Sequence, residues 1–263
     1  MKKIAILISS LFVFTSVFSE QYSIYSDSPT ADRYGYGNFH IESNGELDLI
    51  ANFIKDNDIV FDVGAAVGEW SCHVFSRSSP QMYVFEPIPE SFKKLKNNLA
   101  SKNARVFNLG LSNRKGEKTI AWYNNAQGWA ELSSFYRREE VEKSSKVVPV
   151  LLTVQTYDLD TFCQEQKIES INFLKIDTEG SELDILRGAQ KMLSTKKISV
   201  IQFEYGGTYI DAKTTLKEVY NLLTASGYML YRIIPNGLIR IKAWRPELET
   251  FQYSNYLALS NPL

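Results

Sequence analysis

The stretch that decides the fold reads IVFDVGAAVG over residues 59–68. Its apolar first half is typical of a strand buried on both faces, and Gly64 and Gly68 permit a tight turn and close backbone approach to a ligand. The pattern predicts a loop that binds a nucleoside-type cofactor. A dinucleotide-binding fingerprint would need glycines where this chain has Ala66 and Glu69, and no Gly-Lys-Ser/Thr of a phosphate-binding loop follows.

The composition fits one sizeable α/β domain, with 263 residues of which 44% are hydrophobic. Twenty-nine basic and 30 acidic side chains leave a formal charge of −1, without the positive field of a nucleic-acid-binding protein. We therefore expect no nucleic-acid partner. Cys72 and Cys163 lie far apart and beside no other ligand cluster, so we expect buried free thiols rather than a disulfide, and no cysteine-rich zinc site.

The first 19 residues have the order of a secretory signal. Lys2 and Lys3 precede an uncharged, largely apolar run over 4–18, and residues 17–19 provide small side chains where a signal peptidase reads. The run is shorter than the ~20 apolar residues that span a bilayer, so membrane contact is expected only through this segment, if it is retained. The expected location is exported or periplasmic. If the segment instead packs on the core as a helix or strand, the expected location is cytoplasmic.

Beyond this segment, residues 20–45 are polar and aromatic and form an extended lead-in segment before the main domain at 46–263. In that domain, strand and helix patterns alternate. Predicted strands lie at 59–63, 81–85, 104–109, 119–123, 147–154, 171–176, 199–203, 228–234 and 256–259, and predicted helices at 46–55, 70–76, 91–100, 159–166, 182–193 and 214–226. Repeated β-α-β units predict a doubly wound, mainly parallel α/β sheet with a β-hairpin end. Residues 124–145 fit neither pattern and form either a lid or substrate-facing loop or a solvated surface excursion.

Candidate ligand-binding side chains follow the ends of the predicted strands, because ligands of open α/β sheets sit beyond the carboxyl ends. In chain order these residues are Asp62, Gly64 and Gly68, then Glu86, then Asn108 and Ser112, then Asp177 and Glu179, and finally Glu204. Glu86 follows the glycine turn at about the 20-residue spacing at which an acidic side chain binds ribose hydroxyls.

Five motifs carry a resemblance to a known family. They are VFDVGAAVGEWS (60–71), VFEPIPESFKKLKNNL (84–99), LGLSNRKG (109–116), TYDLDTF (156–162) and FLKIDTEGSELDILRGA (173–189). In this order they make the chain resemble the FkbM-type family of class I S-adenosylmethionine-dependent methyltransferases, from residue 46 to the C-terminus. The last motif is the most specific. The resemblance implies a Rossmann-related methyltransferase domain over 46–263, with S-adenosyl-L-methionine as cofactor.

The resemblance also implies roles for the residues at the strand ends. The backbone from Gly64 through Ala65 to Gly68 would pass the methionine part of the cofactor, and Glu86 would bind its ribose. Asp62 would orient the loop. Ser112 would lie near the adenine, and Asn108 is a further adenine candidate.

For catalysis, methyl transfer requires alignment of an acceptor and removal of its proton. Asp177, which ends a buried strand beside the expected cofactor, is the first choice as base or polar orienter, with Glu179 and Glu204 as further catalytic candidates. Lys175 either joins this network or pairs structurally with Glu179. Glu204 and its neighbours are also of the type that holds a magnesium-like ion, although the sequence does not require a metal. Neither histidine is predicted to be the base.

The sequence thus predicts a methyltransferase that methylates an oxygen of a small-molecule or carbohydrate-like acceptor. The alternative is a catalytically inactive, exported binding or interaction protein that keeps the fold. The signal-like segment favours that alternative, whereas the intact glycine turn and Glu86 favour the enzyme. Nothing in the sequence indicates the oligomeric state.

Overall fold

The computed structural model describes residues 23–25, 38–123, 133–139, 142–143 and 146–262. The predicted signal at 1–19 lies outside these residues, as do most of the lead-in segment and residues 124–132 of the irregular connection. The described strands are β1 (Ser23–Tyr25), β2 (Ile59–Val63), β3 (Gln81–Phe85), β4 (Ala104–Phe107), β5 (Gly110–Ser112), β6 (Gly116–Trp122), β7 (Val150–Asp158), β8 (Ile171–Ile176), β9 (Ile198–Tyr205), β10 (Met229–Ile234), β11 (Gly237–Ile241) and β12 (Ser254–Leu259). The described helices are α1 (Glu46–Phe53), α2 (Glu69–Phe75), α3 (Pro89–Asn98), α4 (Leu159–Gln166), α5 (Glu182–Arg187), α6 (Gln190–Ser194), α7 (Thr208–Ala212) and α8 (Leu216–Ala225).

Within the described part of the chain, nine strands form the central sheet in the order β1-β11-β10-β12-β9-β8-β2-β3-β4. The five strands from β9 to β4 pair in parallel. Strand β12 runs antiparallel to both of its neighbours, and β10 and β11 form an antiparallel hairpin. The predicted doubly wound, mainly parallel sheet with a hairpin end is confirmed.

The core divides between the two faces of this sheet, because successive side chains of a strand point in opposite directions. In β2, Phe61 and Val63 belong to one buried cluster together with Phe162 of α4. Val60 belongs to the cluster on the other face, with Leu95 of α3. Helices therefore cover both faces, as the apolar run of residues 59–63 predicted.

A second, smaller sheet lies beyond the end of β4. Among the described residues it has three strands in the order β5-β7-β6. A Cβ atom on Gly188 would lie 2.2 Å from the carbonyl oxygen of Ser112 in this sheet. The predicted single helix over 182–193 is therefore wrong in one respect: it is divided into α5 and α6 where Gly188 packs against the sheet.

Other local expectations also change. The predicted strand over 104–109 ends at residue 107, and Gly110–Ser112 joins the small sheet instead. Cys163 is buried and free as expected, but Cys72 is exposed, which corrects the expectation of two buried thiols. Trp70, Ser71 and Val74 form the buried face of α2, so position 72 faces away from the core.

No helix within the described residues combines the length and the apolar character required to cross a membrane.

Candidate active site

The glycine turn after β2 is shaped by contacts with the protein itself. Gly64 has φ of 82°, and a Cβ atom there would lie 1.8 Å from the carbonyl oxygen of Asp177. Gly68 precedes α2 with φ of 90°, and a Cβ atom there would lie 2.6 Å from Leu95 Cδ1. Because only glycine tolerates both the backbone conformation and the crowding, these positions let the turn pack close to β8 and α3.

Two cavities open at this end of the sheet. The smaller has a volume of about 60 Å³ and lies between the ends of β2 and β3 and the small sheet. The larger has a volume of about 730 Å³ and lies between the ends of β2, β8 and β9 and residues before α1. Both are lined by Gly64, Ala66, Asp177 and Glu179. The two cavities therefore meet at the glycine turn and the predicted catalytic loop.

Glu86 lines the smaller cavity and is 5% exposed. Its Oε2 accepts a hydrogen bond from the backbone N–H of Ala66 at 2.9 Å, and its Oε1 accepts one from Ile88 at 2.7 Å. Burial raises the pKa of Glu86 to about 8, although these two hydrogen bonds oppose the shift. A carboxylate offers about four lone-pair positions, so each oxygen still has one available for a ligand hydroxyl.

Asp62 is buried inside the protein and lines neither cavity. Its Oδ2 accepts a hydrogen bond from Ser71 Oγ at 2.7 Å, and its Oδ1 lies 3.6 Å from Lys175 Nζ. Burial raises the pKa of Asp62, and the charge of Lys175 opposes that shift. The side chain thus ties β2 to α2 on either side of the turn. Gly68 also lines neither cavity, whereas Ala65 lines the larger one.

Asp177 and Glu204 form a hydrogen-bonded pair in the larger cavity. Burial and the neighbouring charge of Asp177 raise the pKa of Glu204 well above its usual value. Although burial acts in the opposite direction, Lys175 and the hydrogen bond from Glu204 hold the pKa of Asp177 below its ordinary range. These opposite shifts favour an uncharged Glu204 as hydrogen-bond donor and an ionised Asp177 as acceptor, and the Asp177 side chain is 39% exposed.

Lys175 pairs with Asp177 rather than with Glu179. Its Nζ lies 3.1 Å from Asp177 Oδ2, and the side chain is buried. The alternative of a structural pair with Glu179 is therefore wrong. Lys175, in β8, lies beside Asp62 of β2 and Asp177, which directly follows β8, whereas Glu179 lies further along the loop. Burial disfavours the charged lysine, but the carboxylates around it hold its pKa above the ordinary value.

Glu179 is held by the segment 133–139, which is the described part of the irregular connection. Arg138 Nη1 donates to Glu179 Oε2 at 2.8 Å, and Ser134 Oγ donates to the carbonyl oxygen of Glu179 at 2.6 Å. Burial raises the pKa of Glu179 to about 8 against the opposing charge of Arg138. This described part of the connection therefore lines the site, which favours a lid or substrate-facing loop over a solvated excursion for residues 133–139.

Ser112, which is expected near the adenine, has no surface in either cavity. It is buried in the small sheet. The smaller cavity is lined instead by residues 109–111 and by Phe135 of the segment 133–139. Asn108 also acts differently, since its Nδ2 donates to the backbone oxygens of Glu86 and Pro87 at 2.9 and 3.0 Å. It shapes the loop that follows β3.

Glu46 was missed by the sequence analysis. It is the first residue of α1, it is 6% exposed and it lines the larger cavity. Its carboxylate accepts hydrogen bonds from Asn44 at 2.7 Å, Asn255 at 2.9 Å and Gln202 at 2.6 Å. Burial raises the pKa of Glu46. No sequence pattern connects Glu46 with Gln202 or Asn255. The signal that the sequence offered for Glu46 was an acidic residue in the first turn of a helix.

Among the described residues, Asp177 and Glu204 do not belong to a cluster with the geometry of a metal site. Within the described residues, the grouping of ligand-type side chains that brings its atoms within 4.8 Å consists of Glu42, Glu69 and His73. Glu42 and Glu69 are exposed at the rim of the larger cavity. Asp177 and Glu204 are not part of that group, and their hydrogen bond and the pairing with Lys175 account for their positions.

Comparison with known proteins gives consistent matches. The model of the family described as "Methyltransferase FkbM domain" matches residues 62–230. The chain is 26% identical over 183 residues to the hexuronic acid methyltransferase AglP of Haloferax volcanii, covering 66% of this chain and 67% of that protein. It is 23% identical over 198 residues to the 2-O-methyltransferase NoeI of Sinorhizobium fredii, covering 72% of this chain and 80% of that protein. A solved precorrin-6y C5,15-methyltransferase from Geobacter metallireducens gives a TM-score of 0.45 at 11% identity, covering 88% of this chain and 94% of that one.

Proposed function

This chain belongs to the FkbM methyltransferase family, and we propose that it transfers a methyl group from S-adenosylmethionine to a hydroxyl oxygen of a carbohydrate-like acceptor. The observation that carries this proposal is the position of the Asp177–Glu204 pair. Asp177 lines both cavities, at the point where they meet beside the glycine turn. One ionised carboxylate therefore faces the junction of the smaller cavity and the large polar cavity.

The smaller cavity has the donor and acceptor set for the adenosine part of the methyl donor. Glu86 has a lone pair free on each oxygen for the two ribose hydroxyls. Apolar side chains, among them Ile88, Leu111 and Ile120, provide faces for an adenine. The smaller cavity must widen to hold an adenine, because the ring of Phe135 lies against Gly110. A Cβ atom on Gly110 would be 2.7 Å from that ring.

The larger cavity holds the methionine part and the acceptor in this proposal. S-adenosylmethionine is a substrate consumed in each turnover, and it supplies a methyl group on a positively charged sulfur. Asp177, ionised and next to the shared boundary, suits both a positive neighbour and an acceptor hydroxyl. In the transfer, the acceptor oxygen bonds to the methyl carbon, the carbon–sulfur electron pair stays on sulfur, and the hydroxyl proton passes to Asp177.

Glu204 and Lys175 position Asp177 for this task. Lys175 keeps the carboxylate ionised, and Glu204 donates a hydrogen bond that orients it. Because Asp177 is already held in place, little free energy is needed to reorganise it during the reaction. No metal is required by these roles. The acceptor class is supported by two relatives, one named as a hexuronic acid methyltransferase and one as a 2-O-methyltransferase.

The test is calorimetric titration of the full chain with S-adenosylhomocysteine, combined with transfer of labelled methyl groups to a panel of glycosides. Glu86→Ala should weaken binding at least about tenfold. Asp177→Asn should keep that binding within a few-fold and lower transfer by about 100-fold or more. A wild-type protein that binds neither S-adenosylmethionine nor S-adenosylhomocysteine would overturn the proposal.

A second candidate is an exported binding protein without turnover, and it is favoured by the signal-like order of residues 1–19. We also propose that these residues direct export, which places the protein outside the cytoplasm. N-terminal sequencing of protein recovered from a bacterial periplasm should begin after residue 19. An intact Met1 on cytosolic protein would contradict export. Binding of S-adenosylhomocysteine without methyl transfer to any acceptor would favour the second candidate.

A further inference from the structure

Phe39 places an exposed aromatic ring at the mouth of the larger cavity. The residue is 68% exposed, which is high for a large apolar side chain. Its ring lies 4.2 Å from the ring of Tyr253, centroid to centroid, at an interplanar angle of 45°. Both residues line the cavity. Phe39 is therefore supported from one side by a second ring and open to the cavity and solvent on the other.

Tyr253 is itself held in place. Its hydroxyl accepts a hydrogen bond from Asn255 Nδ2 at 3.2 Å, and the same amide donates to Glu46 at 2.9 Å. The aromatic pair is thus tied to the buried polar group around Glu46. An exposed aromatic surface next to a concave polar site marks a place where a ligand with one apolar face packs.

Carboxyl groups outnumber the basic side chains in the walls of the larger cavity. Six acidic side chains line it, namely Glu42, Glu46, Glu69, Asp177, Glu179 and Glu204. The two lysine or arginine side chains among the lining residues already have carboxylate partners: Lys175 has Asp177 and Asp62, and Arg138 has Glu179 at 2.8 Å and Asp211 at 3.7 Å. A carboxylate on the acceptor would meet the ionised Asp177, and it would find no unpaired lysine or arginine among these lining residues to replace the water it loses.

We propose that the mouth of the larger cavity is a subsite for an uncharged pyranose, which packs the C–H face of its ring on Phe39, and that the acidic walls reject sugars bearing a carboxylate. The inference rests on the proposed function, since it specifies the acceptor of that same site. A pyranose has an apolar face bordered by hydroxyls, which match the ring of Phe39 and the carboxyl groups of the walls. Rejection by like charge is an established source of specificity. One relative is named for a hexuronic acid, so this chain should differ from it in acceptor.

The test uses the full chain saturated with S-adenosylhomocysteine and pairs of methyl glycosides that differ only at C6, such as methyl glucoside and methyl glucuronide, with the galacto and manno pairs beside them. At least one neutral glycoside should bind about tenfold or more tightly than its uronide in ligand-observed NMR titrations. Phe39→Ala should weaken that binding by about tenfold, and Phe39→Tyr should retain it. In turnover assays, Phe39→Ala should raise KM for the neutral acceptor and leave kcat nearly unchanged.

Val148→Ala is the matched control, because Val148 is an exposed apolar residue outside the cavity, 82% accessible. Val148→Ala should change neither the affinity for the neutral glycoside nor the affinity for its uronide. Equal or tighter binding of the uronides, or an unchanged affinity in Phe39→Ala, would overturn the inference. So would the absence of binding by every neutral glycoside in a protein that still binds S-adenosylhomocysteine. Failure to bind S-adenosylhomocysteine would instead count against the proposed function, which separates the two.

Discussion

Gly64 packs directly against Asp177: a Cβ atom at position 64 would lie 1.8 Å from the carbonyl oxygen of Asp177. The backbone N–H of Asp177 also donates to the carbonyl oxygen of Val63 at 3.0 Å. The glycine turn and the acidic loop after β8 are therefore one packed unit. Gly64 and Asp177 are more than a hundred positions apart in the sequence, yet both line the two cavities. They meet because the parallel strands β2 and β8 end side by side.

Gly64→Ala should destabilise the protein by about 3 kcal/mol, because the new methyl group meets backbone and φ of 82° is strained for alanine. Urea denaturation measures the change. Gly207→Ala is the control, since its φ is −59° and its Cβ would lie 3.9 Å from the nearest described atom. It should stay within about 0.5 kcal/mol. Equal stabilities for the two variants would contradict the packing described here.

Glu204→Ala should lower kcat by roughly tenfold to a hundredfold, while Glu204→Gln should keep most of it. Glutamine retains a donor for Asp177, and alanine does not. Loss of that hydrogen bond raises the pKa of Asp177, so the acid limb of the kcat profile should move to higher pH in Glu204→Ala only. The measurement is kcat against pH, with affinity for S-adenosylhomocysteine as the control. Identical profiles in both variants would show that Glu204 does not position Asp177.

A double-mutant cycle on Arg138→Met and Glu179→Gln should give a coupling free energy of about 1–2 kcal/mol. Both side chains are mostly shielded from solvent, at 15% and 16% exposure. The pair of Lys143 and Glu139, in the same connection but 76% and 72% exposed, is the matched control and should couple by a few tenths of a kcal/mol at most. Urea unfolding of the single and double variants supplies the values. Similar coupling in both cycles would mean that Arg138 does not anchor the segment 133–139.

The sequence predicted the parts of this site that depend on strand ends. Glu86 and Asp177 follow buried strands whose apolar patterns are clear, and parallel strands bring their carboxyl ends to one edge of a sheet. The sequence did not predict that Gly110–Ser112 joins a second sheet, because no local pattern distinguishes a strand that continues in one sheet from one that changes sheet.

Other residues of the site depend on contacts that sequence reasoning cannot reach. Arg138 lies in a run of four charged residues at 137–140, within the irregular connection, and only the folded chain brings it to Glu179. Glu46 meets Asn255 across 209 positions, through the return of β12 between β9 and β10. From the sequence, Gly64 is predicted to let a ligand approach the backbone closely. The structure adds a second reason, which is close approach to the backbone of Asp177.

Glu86→Gln should make the folded protein less sensitive to high pH and weaken its binding of S-adenosylhomocysteine. Burial raises the pKa of Glu86 from 4.5 to about 8 on folding. A carboxyl of this kind contributes stability that is complete below the lower value and is lost as pH rises through the higher one. Glutamine cannot ionise, so the wild type should lose more Tm than the variant between about pH 5 and about pH 9.

The same substitution replaces one carboxyl oxygen by an NH2 group that cannot accept a hydrogen bond from a ribose hydroxyl, so affinity should fall by about tenfold or more. Thermal unfolding across the pH range and calorimetric titration give the two readouts. Glu90→Gln, on the exposed side of α3, is the control and should change neither. Parallel Tm curves for wild type and Glu86→Gln would contradict the burial of an ionisable Glu86. Unchanged affinity would remove Glu86 from the binding site, because a ribose that donates to both of its oxygens must respond to the loss of one acceptor.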